Sequence, residues 1–169
     1  MLVAAMNPCP CGYYNDPTHA CHCSPAQVQR YKGKVSGPLL DRIDLQIEVS
    51  PVPVTELAKA PKGMSSAEMR EQVVAARTIQ TERFKNDKGV HCNAQMSSKQ
   101  LETYAQLNAE AASTLNRTME RLQLSGRAYT RILKVARTIA DLDGSANIEV
   151  QHIKEAVGYR SLDRADWGE

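Results

Sequence analysis

Apolar side chains recur along the second half of this chain at the three- and four-residue spacing of a helix, whereas the first half lacks that rhythm. After Gly63, Ser65-Ser66-Ala67-Glu68 has the form of a capping box, in which a serine and a glutamate satisfy each other's backbone amides. Met69, Val73, Ala76 and Ile79 then fall on one face and are expected to form a buried stripe. Ser97-Ser98-Lys99-Gln100 opens a shorter helix carrying Leu101 and Tyr104. Residues 108–122 read as a third helix, with Ala111, Leu115, Met119 and Leu122. Residues 126–142 read as a fourth, with Ala128, Ile132, Val135 and Ile139 on one stripe and Gly144 as its stop. A last helix is expected over roughly 150–160.

The first half is built differently. Residues 2–6, Leu-Val-Ala-Ala-Met, are an unbroken apolar run closed by Asn7-Pro8, and read as a short buried strand. Residues 8–24 form a loop rich in Pro, Gly and Cys. Ser24-Pro25 marks a helix start, with a capping hydroxyl and a proline at the first helical position, and the helix is expected to reach Tyr31. Ser36-Gly37-Pro38 opens a helical turn, and the alternation Leu45, Ile47, Val49 predicts a strand over 44–49. Pro51, Pro53, Pro61 and Gly63 then mark a linker. The reading is a mostly α chain with a small α/β remnant. Residues 1–50 form the α/β piece, 51–64 the linker, 65–164 a helical unit and 165–169 a tail.

Composition narrows the partners. The 169 residues are 42% hydrophobic but only 5% aromatic, which suits helices packed through Leu, Ile, Val and Ala. A net charge of +2 is too small to argue nucleic-acid binding by itself. No apolar run approaches the ~20 residues of a membrane span, and Leu2 to Met6 is too short for a signal-peptide core. A soluble cytoplasmic chain with no membrane partner is expected.

Cys9-Pro10-Cys11 and Cys21-His22-Cys23 place four thiols within fifteen residues, with nine residues between the pairs. A loop this polar cannot bury a core, whereas a metal ion can fold it, so structural Zn2+ held by Cys9, Cys11, Cys21 and Cys23 is expected. Four sulfurs close the coordination shell and leave no position for a reacting water. Free thiols are the other reading, since C-x-C is less typical than C-x-x-C; disulfides suit an intracellular chain poorly. His19 and His22 are spare ligands, and Cys92 stands alone.

One further stretch carries chemistry. In Ser36-Gly37-Pro38-Leu39-Leu40-Asp41-Arg42-Ile43-Asp44-Leu45, an arginine sits at the end of a helical turn, where its planar donor fork can reach an anion on a neighbouring molecule. Locally, an ion pair with Asp41 or Asp44 explains it as well. Three segments together shift the balance: Asn7-Pro8 after the apolar start, Leu-Leu-Asp-Arg-Ile-Asp, and Ser125-Gly126-Arg127-Ala128-Tyr129 opening a long helix. In their order and spacing they resemble the second half of magnesium-chelatase-type AAA+ ATPases, most closely the ComM-like branch of competence-associated DNA helicases.

The resemblance covers nearly the whole chain and implies a partial AAA+ core followed by a helical lid. It implies that Asn7 is sensor 1, orienting the attacking water near the γ-phosphate of ATP. It implies that Arg42 is an arginine finger acting on ATP held by the next subunit, with Asp41 and Asp44 holding its side chain. Arg127 matches sensor 2, the lid arginine that meets the γ-phosphate of its own subunit. Arg131, Lys134 and Arg137 extend a basic side, and Lys134 and Arg137 read as a solvated face. The implied cofactors are ATP and Mg2+, and the implied partners are DNA and further copies of the same chain in a homo-hexamer. The sequence has no G-x-x-x-x-G-K-[ST] loop and no acidic strand ahead of Asn7, so Met1 is expected to begin a fragment inactive by itself. Two other functions stay open: a true magnesium-chelatase motor subunit, and a zinc-bearing nucleic-acid adaptor without ATPase activity, resting on the cysteine loop and the scattered basic residues. Tyr13, Tyr14 and His19 are candidates to stack on bases, and Arg30, Lys32 and Lys34 to touch nucleic acid or a neighbouring subunit's acidic face.

Overall fold

Serine and asparagine caps set where the helices begin. The computed structural model describes residues 1–50, 52 and 63–160, so most of the expected linker and the whole expected tail lie outside the described residues. Helix α1 spans Pro25–Lys32, α2 Gly37–Leu40, α3 Ser66–Arg83, α4 Ser98–Tyr104, α5 Ala109–Arg121, α6 Gly126–Leu142 and α7 Val150–Gly158, with a 3-10 turn at Asn93–Gln95. Ser24, Ser65 and Ser97 each complete a capping box, with Gln27, Glu68 and Gln100 respectively. Asn108 and Ser125 cap α5 and α6 through their side chains. At the far end of α6 the chain turns at Gly144, whose φ of +64° is left-handed. The Ser145 amide donates to the Ala140 carbonyl at 2.8 Å and the Gly144 amide to Asp141 at 3.2 Å, which closes the helix as a Schellman turn.

The mostly α reading agrees with this architecture. Helix α6 is the central element: Ala128, Ile132, Leu133, Ala136, Ile139 and Ala140 are all buried. Leu115 of α5, Ile148 and Ile153 close the core from one side. Phe84, Met96 and Leu101 close it from the other, with Phe84 edge-on to Tyr104 at 5.4 Å. The stripe expected on α3 is rotated. Ala76 is buried as expected, but Met69, Val73 and Ile79 are exposed, and Gln80 and Phe84 take the inward positions. The buried face includes a polar residue that a purely apolar pattern passes over.

The two expected strands are corrections. Residues 2–6 are exposed rather than buried and join no ladder among the described residues. Residues 44–49 are reduced to one parallel bridge between Gln46 and Arg160. The burial phase there is the reverse of the apolar pattern: Leu45, Ile47 and Val49 are 49%, 65% and 87% exposed, while Gln46 is 5% exposed. A strand is stabilised by the edge that pairs with it, and among the described residues only Arg160 supplies one here. Gln46 turns inward because its amide donates to Tyr159 O at 2.8 Å and its side chain to Leu40 O at 3.1 Å.

Arg137 is the other correction. It is not part of a solvated face but 3% exposed, donating to the carbonyls of Ser145 and Ala146 at 2.6 and 2.9 Å and to Asp141 at 3.1 Å. Asp141 is equally buried and also takes Arg83 in a bidentate pair and Asn93 at 2.7 Å. Burial opposes the charge on Asp141, yet hydrogen bonds from Arg83 and Asn93 and the two guanidiniums hold its carboxyl below the ordinary range. Removing one partner of such a cluster strands the other charge. Asp141→Ala is therefore expected to destabilise the chain by about 3–5 kcal/mol in urea denaturation. The contribution of Asp141 is present above the unfolded carboxyl value near 3.8 and is lost as pH falls through its lower folded value. A loss below about 1 kcal/mol would show that Arg83 and Arg137 rehydrate freely.

Candidate metal centre and arginine corner

The loop ahead of α1 folds back on itself at Gly12, whose φ of +87° few other residues adopt. The Gly12 amide donates to the Cys9 carbonyl at 3.1 Å, and Ser24 caps α1 directly after Cys23. These two anchors bring Cys9, Cys11, Cys21 and Cys23 together, all four sulfurs lying within 4.8 Å of one another. Cys9 Sγ is 3.3 Å from Cys11 Sγ and 3.7 Å from Cys21 Sγ, and Cys11 and Cys21 are 3.5 Å apart. Sulfurs at a tetrahedral zinc stand about 3.8 Å apart, given a Zn–S bond near 2.3 Å, so the set is close enough to share one metal ion. Cys9 is fully buried and the others are half-buried.

The thiols differ in acidity. Backbone amides at Tyr13 and His22 pull Cys11 down to about 6. The amide of Cys11 favours the thiolate of Cys23, but burial and the neighbouring sulfurs outweigh it and push Cys23 up to about 12. Negative charge thus gathers on the first sulfur and resists gathering on the next, a conflict that a cation among them resolves. His19 is not drawn in: it stacks on Tyr13 with centroids 4.9 Å apart and bonds Thr18 at 2.9 Å.

The second cluster centres on Asp41. Ser125, the cap of α6, donates to its Oδ1 at 2.9 Å. Arg127 NH1 lies 4.0 Å from its Oδ2 and Arg160 NH2 3.7 Å from its Oδ1. Asp44 pairs with Arg131, and Arg160 donates to the Ile43 carbonyl at 2.6 Å. Neither aspartate holds Arg42, in contrast to the expectation. Arg42 instead donates to Pro38 O at 2.7 Å and is otherwise exposed. Arg42 and Arg127 are thus both exposed, Arg127 near the Asp41 carboxylate and Arg42 on the residue that follows Asp41 in the chain. Asn7 is exposed beside the Gly12 turn, and among the described residues no hydrogen bond or ion pair joins it to either arginine.

Sequence reasoning did not single out Arg160, which is 1% exposed and holds residues 41–46 against the end of α7. Nor did it find His152, buried between the Glu149 amide at 2.9 Å and Asp143 at 3.1 Å. Because Nδ1 accepts from that amide, the proton sits on Nε2 and is donated to Asp143. The capping position, three residues after Glu149, was the available signal.

Comparison with known proteins adds to this geometry. Residues 63–160 match the family model for the C-terminal part of magnesium chelatase subunit ChlI, and residues 1–57 match the model for subunit ChlI. Competence protein ComM of Haemophilus influenzae is 46% identical over 164 residues, which cover 96% of this chain and 31% of ComM. YifB of Escherichia coli is 44% identical and YifB of Salmonella typhimurium 42% identical, over the same 164 residues and the same shares. The chain therefore spans 31% of the length of these relatives. No described helix is long and apolar enough to cross a membrane. On these matches, the chain belongs to the magnesium chelatase subunit ChlI family.

Proposed function

We propose that this chain is the C-terminal part of a cytoplasmic AAA+ motor that couples ATP hydrolysis to DNA remodelling, such as helicase or branch-migration action. The observation that carries the reading is the Asp41 corner: Arg127 lies 4.0 Å from the Asp41 carboxylate, and the neighbouring residue Arg42 is exposed. A guanidinium placed on a transferring phosphate stabilises its developing charge. A γ-phosphate of its own subunit competes with Asp41 for Arg127, while Arg42 is exposed to meet the ATP of the next subunit. In a homo-hexamer Arg42 acts on the ATP of a neighbouring copy, Arg127 as sensor 2 on that of its own subunit, and Asn7 serves as sensor 1. Kinship to ComM supports DNA as the substrate. ATP brings Mg2+, for which none of these residues is offered as a ligand. Zn2+ in the four-cysteine centre holds the loop in shape and takes no part in the reaction.

The test is made on the longer protein that contains this chain. With ATP and Mg2+ it is expected to hydrolyse ATP faster when branched DNA is added and to convert that DNA into its strand-exchanged products. Hydrolysis indifferent to DNA but stimulated by a porphyrin-binding partner would favour the chelatase motor instead. Absence of hydrolysis would favour the zinc-bearing adaptor.

A further inference from the structure

The modest net charge of the chain conceals an uneven distribution. Residues 1–40 hold Arg30, Lys32 and Lys34 against a single acid, Asp16, and the rest of the chain holds equal numbers of both signs. The whole excess of +2 therefore lies on the cysteine loop, α1 and the turn that follows it. The lone acid is also engaged: Asp16 Oδ1 accepts from the Thr18 amide and hydroxyl at 2.7 Å each and from the His19 amide at 2.9 Å.

Aromatic rings interleave with these cations. Lys32 Nζ lies 5.2 Å from the centroid of Tyr14, and Lys34 Nζ lies 5.6 Å from that of Tyr31. Tyr13 and Tyr14 are 42% and 38% exposed. Lys32, the last residue of α1, reaches back over a ring of the cysteine loop, so helix and loop present one surface. Cations with exposed rings suit a strand whose bases are unpaired: the rings stack on bases of any identity and the cations follow the phosphates. A duplex hides its base faces and would use only the charges.

We infer that the cysteine loop and α1 form a binding surface for single-stranded DNA, with Tyr13 and Tyr14 as stacking platforms and Arg30, Lys32 and Lys34 along the phosphates. The inference rests on the DNA-remodelling reading for the choice of nucleic acid among polyanions. A rival use for the lysines exists, because four thiolates around a dication carry a formal charge of −2 that nearby cations would balance.

The experiment uses the 169-residue chain, loaded with zinc and without ATP. Fluorescence anisotropy follows its binding to labelled oligothymidylate of about 15 nucleotides, to the matching duplex and to oligouridylate. Oligothymidylate is expected to bind more tightly than duplex, with log K falling against log salt with a slope of about −2 for three neutralised phosphates. Tyr14→Ala is expected to weaken binding roughly ten- to hundredfold, while Tyr14→Phe keeps it. Lys32→Ala with Lys34→Ala is expected to reduce the slope by about 1.4 at unchanged zinc content. Equal binding of strand and duplex, or indifference to Tyr14→Ala, would overturn the proposal. So would a double lysine variant that loses zinc yet binds the oligonucleotide as before, and so would binding confined to oligouridylate. A chain that fails to bind while the longer protein remodels branched DNA refutes this surface alone. Binding without ATP-driven remodelling refutes the motor reading and leaves the surface standing.

Discussion

Cys9→Ser is expected to strip the metal from this chain and unfold residues 7–24 while the helical core stays folded. Cys9 is the fully buried member of the four-sulfur set, so no water or side chain can take over its position unaided. A serine hydroxyl stays protonated at neutral pH and is a poor ligand where zinc prefers thiolate. In small zinc-folded peptides the metal contributes about 10–16 kcal/mol, which is also their folding free energy. The cysteine loop is comparably dependent: apart from Cys9 no apolar residue of 1–24 is buried. The core around α6 draws its buried side chains from residues 84–156 and does not include the loop. Metal analysis should find about one zinc per wild-type chain and far less in the variant. Limited proteolysis should cut the variant within 7–24, and a chelator should reproduce that pattern on the wild type. Because the ligands must be deprotonated, metal affinity should fall as the pH is lowered. Wild-type protein that is metal-free yet protected in this loop would sink the assignment.

Arg42→Ala, made in the longer ATP-hydrolysing protein, is expected to lower turnover by about 10³- to 10⁵-fold, the range for loss of an arginine finger. The physical reason is that, among the described residues, the guanidinium makes one hydrogen bond, to the Pro38 carbonyl, which leaves most of its donors for a phosphate. Arg42→Lys should recover little, since a point charge lacks the planar fork. Under the proposed role, in which the group acts on a neighbour's nucleotide, mixing Arg42→Ala subunits with subunits unable to bind ATP should restore part of the activity. Normal turnover in an assembled Arg42→Ala protein would remove the finger role. Loss confined to assembly, with residual turnover per ring unchanged, would make Arg42 an interface residue instead.

The helix starts were legible because each cap is a local event: Ser24, Ser65 and Ser97 lie three residues before the Gln or Glu that completes the box. The cysteine cluster was legible for a similar reason, since its members lie within one loop. What was not legible depends on partners distant in sequence. Arg83 meets Asp141 across 58 positions, and a helical arginine such as Arg137 ordinarily reads as solvated. Its spacing of four from Asp141 was the only local hint. Gln46 is buried through Tyr159, and nothing near residue 46 announces that contact. The apolar alternation of Leu45, Ile47 and Val49 is compatible with a buried strand, but burial needs a covering surface that the described residues do not provide.

Ser125, Arg131 and Arg160 all grip residues 41–46. Arg42 therefore rides with α6 and α7. Any tilt of those two helices moves the backbone that carries the Arg42 guanidinium, so under the proposed finger role the aim of Arg42 would follow the helices.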